Sequence, residues 1–143
     1  MNQDTIELLK EIDSGCMMAT NSLEQVRDAV TDCSLKNLIE KYDVAHAKIG
    51  RECHEQLYCY GKKEKEPNPM AKAMAKVETG MKTINDQDNK KAVGLLMDGC
   101  SMGIRTLSSA VNRLSNADEK SRHLAHGLIE LEERFMDDLK GFA

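Results

Sequence analysis

The sequence predicts an all-α protein, a four-helix bundle occupying residues 1–143 as a single domain, with one long crossover between its second and third helices. Three observations carry that expectation. Apolar residues recur every three or four positions in long stripes, the period of a helix with one buried face. The tetrapeptide Gly-Cys-x-Met occurs twice, as Gly15-Cys16-Met17-Met18 and Gly99-Cys100-Ser101-Met102, each in the middle of such a stripe. The two prolines, Pro67 and Pro69, fall together between the second and third stripes, where they break any continuous helix.

The first helix is expected over about Asp4 to Val30, with Leu9, Ile12, Cys16, Ala19, Leu23 and Val30 inward. Asp4 followed by Glu7 has the spacing of a capping box, and the polar cluster Thr31-Asp32-Cys33-Ser34 ends the helix. A second helix then runs to about Tyr60, with Gly61 as its C-cap. Its stripe is Leu35, Leu38, Tyr42, Ala45/His46, Ile49, Cys53, Gln56 and Tyr60. After the prolines, Met70, Met74, Val77, Met81 and Ile84 are spaced as a short amphipathic helix. The third main helix is expected over Asn89–Leu114, with Val93, Leu96, Cys100, Gly103, Leu107 and Leu114 inward. Asn116 and Glu119 read as the capping box of a fourth, which runs to about Phe142 with Leu124, Leu128, Leu131/Glu132, Phe135, Leu139 and Phe142 inward.

The two halves correspond. An offset of 84 residues carries the first stripe onto the third, Cys16 onto Cys100, and an offset of 86 carries His46 onto Glu132. The pattern is that of a helical hairpin used twice. Short turns make the helices within each hairpin antiparallel neighbours, and the long middle connection distinguishes the bundle from a simple up-down-up-down one.

A chain of this size buries roughly 68–70% of its unfolded surface, enough for one real core. Aromatic residues are only 3% and Trp is absent, so aliphatic side chains and Met must fill that core. The net charge of -4 argues against a nucleic-acid partner, which requires a basic field. No stretch approaches the roughly 20 apolar residues that span a bilayer, so no membrane association is expected. The N-terminus is polar and has no signal-peptide core, and the five cysteines contain no Cys-x-x-Cys pair. These features predict a cytoplasmic protein with free thiols.

Helical geometry brings Cys16, His46, Cys100 and Glu132 to inward positions near the helix midpoints, with Asp43 on the flank of the second helix. Thiolate, imidazole and carboxylate facing one another in a bundle core can bind Zn or Fe. The competing reading is structural: Cys is a small hydrophobe where helices approach closely, and His46 and Glu132 bond to each other. Of the remaining candidates, His123 and His126 lie opposite the Leu124/Leu128 stripe, as a wet face would. Cys53 and His54 point different ways, and Cys33 and Cys59 sit near helix ends without a neighbouring base. No phosphate loop, Gly-x-Ser-x-Gly or His-Glu-x-x-His motif is present.

With these residues in view, the chain resembles the ferritin-like superfamily, most closely its small bacterial four-helix members of unknown function. The resemblance covers nearly the whole chain through helix order, crossover and internal two-fold. It implies a Glu on the first and third helices and Glu-x-x-His on the second and fourth. Here Cys16 and Cys100 stand where the first and third Glu are expected, Asp43-x-x-His46 is a shortened form of the motif, and Ile129-x-x-Glu132 has lost it. Such a degraded set supplies too few bridging carboxylates for a di-iron centre. The leading expectation is therefore a non-catalytic bundle with a structural or interaction role, forming a homodimer side by side and carrying no cofactor. The alternative is a Zn- or Fe-binding or thiol-redox protein. Under the structural reading, Glu132→Leu is expected to be neutral or stabilising.

Overall fold

The computed structural model describes residues 2–59, 61 and 88–143. They form four long helices: α1 (Gln3–Ala29), α2 (Cys33–Cys59), α3 (Asn89–Arg113) and α4 (Glu119–Leu139), the last tightening into a 3-10 turn at Lys140–Phe142. The described part is an all-α four-helix bundle. The expected short helix carrying Met70, Met74, Val77, Met81 and Ile84 lies outside the described residues, as does Tyr60.

Each helix starts on a side-chain oxygen that satisfies an otherwise orphaned backbone N–H. Two of these caps differ from expectation. Asn2, not Asp4, caps α1, its Oδ1 accepting from the Thr5 amide at 2.8 Å. Asp118, not Asn116, caps α4 by accepting from the Ser121 amide at 2.8 Å. The displaced pair is used across the bundle instead, with the Asn116 amide donating to Asp4 Oδ2 at 3.1 Å. Asn2 Nδ2 donates to the Asn116 carbonyl at 2.7 Å, and the Asp118 amide donates to the buried Thr5 hydroxyl at 2.8 Å. A capping-box spacing in sequence thus became a tertiary tie, because a second good cap lay two residues away in each case. Asp32 caps α2 through the Leu35 amide and Asp88 caps α3 through the Lys91 amide. Gly61, at φ 67°, closes α2 in the left-handed conformation that favours glycine, its N–H donating to the Tyr58 carbonyl.

The expected stripes form the core. Leu9, Ile12, Cys16 and Leu23 of α1, Val93, Leu96, Cys100 and Leu107 of α3, and Leu128, Phe135 and Leu139 of α4 are all buried in one apolar cluster. Each fully buried Leu or Ile contributes roughly 1.5–3 kcal/mol over leaving it exposed. On α2 the buried face is wider than a single seam. Ile39 and Leu57 are fully inside with Leu35, Tyr42, His46 and Cys53, while Leu38 and Ile49 are only partly covered. The cause is position: α2 packs on both α1 and α4, so its apolar face turns toward the two of them.

Cross-chain bonds fix the helix directions. The Cys53 thiol donates to the Leu9 carbonyl, so α2 returns antiparallel to α1. At the other end of α1 the Thr31 amide donates to Asn89 Oδ1 at the start of α3. Residues 61 and 88 therefore lie at opposite ends of the bundle. Among the described residues, no helix is long and apolar enough to cross a membrane.

Candidate functional site

At mid-height, α2 and α4 present two polar side chains to an otherwise apolar interior. His46 is 1% exposed and Glu132 is 7% exposed. One turn before His46, the Tyr42 carbonyl lies 2.6 Å from His46 Nδ1. A carbonyl only accepts, so Nδ1 carries a proton. His46 Nε2 bonds directly to Glu132 Oε1. With an acceptor on each ring nitrogen, the arrangement is that of an imidazolium held by a carboxylate. Burial by itself would lower the His46 pKa, but the Glu132 hydrogen bond and charge, the Tyr42 carbonyl and Asp43 outweigh it and carry the value above 6.5.

The surrounding residues hold this pair in place. Phe135 stacks on Tyr42 with ring centroids 4.3 Å apart and meets the His46 ring edge-on. The Tyr42 hydroxyl donates to Asp138, one turn beyond Phe135, and burial together with that bond pushes the Tyr42 pKa up to about 12. Glu132 lies against the backbone of α3, where a Cβ added at Gly103 would come within 3.4 Å of its Oε2.

The duplicated tetrapeptide is split by the structure. Cys100 faces the pair: burial raises its thiol pKa strongly, reinforced by the charge of Glu132 and a hydrogen bond to it. Cys16 turns instead to α2, where a Cβ on Gly50 would lie 3.2 Å from its own. Its thiol is also held far above the ordinary range, by burial first and then by Cys53, Asp13 and, least, Glu132. Asp43 is half-buried, and its carboxyl is pushed up by burial and by Glu24, against the opposing Arg27 and His46. So His46, Glu132 and Cys100 come together, while Cys16 and Asp43 stand to either side. Among the described residues, no three His, Cys, Asp or Glu side chains are grouped to hold a metal ion.

Beside the pair lies a cavity of about 140 Å³ between α1 and α3. Gly15 and Met18 line it from one copy of the tetrapeptide, and Gly99, Cys100 and Met102 from the other. The repeated motif therefore marks the two walls of a gap where small residues leave space.

Sequence reasoning missed Asp13, which is 2% exposed on α1 with its Oδ1 3.6 Å from His54 Nδ1. Its spacing of three from Cys16, on the buried side of the stripe, was the available signal. Cys53 and His54 do diverge, the first buried and the second largely exposed. His123 and His126 are exposed, as are Cys33 and Cys59.

Architecture and helix directions together define a ferritin-like all-α four-helix bundle. The chain is similar in fold to Dps92 from Deinococcus radiodurans, whose crystal structure it matches with a TM-score of 0.74. The match covers 98% of this chain and 86% of that chain, at 9% sequence identity. No family model and no curated protein matches the chain.

Proposed function

We propose that this protein is a non-catalytic ferritin-like bundle, with a structural or interaction role, in which a buried ion pair occupies the place of a metal centre. The observation that carries the reading is the direct bond between His46 and Glu132, with His46 Nδ1 already engaged by the Tyr42 carbonyl. An imidazolium has no lone pair to give a metal, so binding one would require deprotonating His46 and breaking the pair. The donor set does not fit a di-iron centre either. Among the described residues Glu132 is the carboxylate bonded to His46, with Asp43 to one side, and Cys16 and Cys100, pushed toward the thiol form by burial, stand where bridging carboxylates would be needed. The five free cysteines favour a reducing, cytoplasmic setting. Val44 and Tyr58, both strongly exposed on the outer side of α2, are where a homodimer would form.

The test is metal content by elemental mass spectrometry, with melting curves in chelator and in added Zn or Fe. A metal-free protein whose Tm does not move supports the pair as the resident structure. One Zn or Fe per chain, lost in Cys16→Ser and Cys100→Ser, would establish the second reading, a metal or thiol-redox site. That reading is favoured by Cys100 lining the same cavity as His46 and Glu132.

A further inference from the structure

We propose that the cavity between α1 and α3 binds a small neutral molecule, an apolar ring or short branched chain of benzene's size bearing one hydroxyl that donates to Glu132 Oε2. The inference uses the His46–Glu132 pair but not the non-catalytic role, and it adds a ligand to the bundle.

Size is the first argument. The cavity of about 140 Å³ is close to the ~150 Å³ engineered cavity that stays dry and takes up benzene. Its walls are Leu96, Leu107, Leu128 and Phe135, with the flexible Met18 able to adjust to the guest's shape. The recess opens to solvent at one side and reaches the buried charged pair at its floor.

Polarity is the second. Glu132 Oε1 is taken by His46, while Oε2 lies against Gly103, which has no side chain to cover it. An ionised carboxylate has roughly four acceptor sites, so the His46 bond leaves capacity for a further donor. A single acceptor at the floor of an apolar pocket is the pattern that orients a ligand by one polar group.

Charge is the third. At the floor His46 and Glu132 already neutralise each other, and the other carboxylate lining the cavity, Glu11, is only partly buried, so an ammonium or carboxylate guest at the floor would bring an uncompensated buried charge at high cost. That restricts the guest to neutral donors: a phenol or an alcohol. Access is from the α1–α3 side, where the lining residues Ser22 and Thr106 are partly or fully exposed and a Cβ on Gly99 would meet nothing within 4 Å.

The experiment titrates phenol into the full chain by calorimetry in the presence of chelator, with toluene as the probe lacking a hydroxyl. Chelation keeps the result independent of whether the protein can bind metal. Saturable binding of one phenol per chain is expected, with toluene at least tenfold weaker. Gly99→Leu places a side chain into the open space and should cost at least tenfold in phenol affinity while keeping a cooperative melt. Thr106→Leu, filling the same wall from the rim, serves if that variant does not fold. Absence of saturation, equal binding of phenol and toluene, or undiminished binding in a folded filled variant would each overturn the proposal. So would a dimer that sedimentation shows dissociating in Gly99→Leu, because the cavity would then belong to a second copy.

Discussion

Helix α1 packs against α2 and against α3 in opposite ways. Against α2 it is close-packed: Cys16 sits on Gly50, and the Cys53 thiol donates to the Leu9 carbonyl. Against α3 it is loose at mid-height, with Gly15 and Gly99 bordering a cavity of about 140 Å³. The same tetrapeptide supplies both, because the cysteine of the first copy turns to α2 while its glycine, whose added Cβ would meet Leu128 of α4 at 3.7 Å, and Met18 line the cavity. A small residue in a helix thus has two uses, close approach or empty space, and only the neighbour's placement decides which.

The largest expected effect sharpens this contrast. Cys16→Asp should destabilise the protein by on the order of 3–5 kcal/mol, the range for an uncompensated buried charge, read from denaturant unfolding. Cys100→Asp should cost several kcal/mol as well, but less, because the cavity beside it can admit water. Equal stability of either variant and the parent would remove that cysteine from the core.

Next in size is the effect of splitting the polar pair. Without a partner, Glu132 is a residue that Leu could replace at no cost. Bonded to His46, it is not, and Glu132→Leu should lose about 1–3 kcal/mol by leaving His46 to give up its proton and bury an unpaired Nε2. The double variant His46→Leu/Glu132→Leu should recover most of the loss, as a double-mutant cycle would register. The pH dependence follows in sign. Because the folded His46 pKa is raised above 6.5, the pair's contribution is complete below that value and is lost as pH rises through the folded one. The stability difference between the parent and the double variant should therefore shrink on the alkaline side.

The stripes, the helix order and the inward set of Cys16, His46, Cys100 and Glu132 were legible in the sequence because burial imposes a period on each helix. Two things were not. Capping choices among neighbours such as Asn2 and Asp4 depend on which oxygen a distant amide, here that of Asn116, has already engaged. The rotation of α2 that buries Ile39 over Leu38 depends on its packing against two helices at once. For the same reason the sequence set His46 opposite Glu132 without showing that Cys16 turns away from them.

Thiol reactivity separates the seams from the surface. Cys33 and Cys59 are exposed and should react with a thiol reagent at once, whereas Cys16, Cys53 and Cys100 should react only on unfolding. The smallest effects come from adding one methyl to each seam. Gly99→Ala should be neutral or stabilising by up to about 1 kcal/mol, since its Cβ meets open space and Ala favours the helix. Gly50→Ala carries the same helical gain, but its Cβ would press on Cys16 Cβ at 3.2 Å, giving a net loss of about 1 kcal/mol. Reversed signs for these two would mean the tight and loose seams are assigned the wrong way round.

The most direct measurement is nitrogen-15 NMR of the His46 ring, with and without one equivalent of Zn. The buried pair predicts an imidazolium protonated at both Nδ1 and Nε2 at neutral pH, unchanged by the metal. A neutral ring whose Nε2 resonance shifts on adding Zn would contradict it and make His46 a ligand.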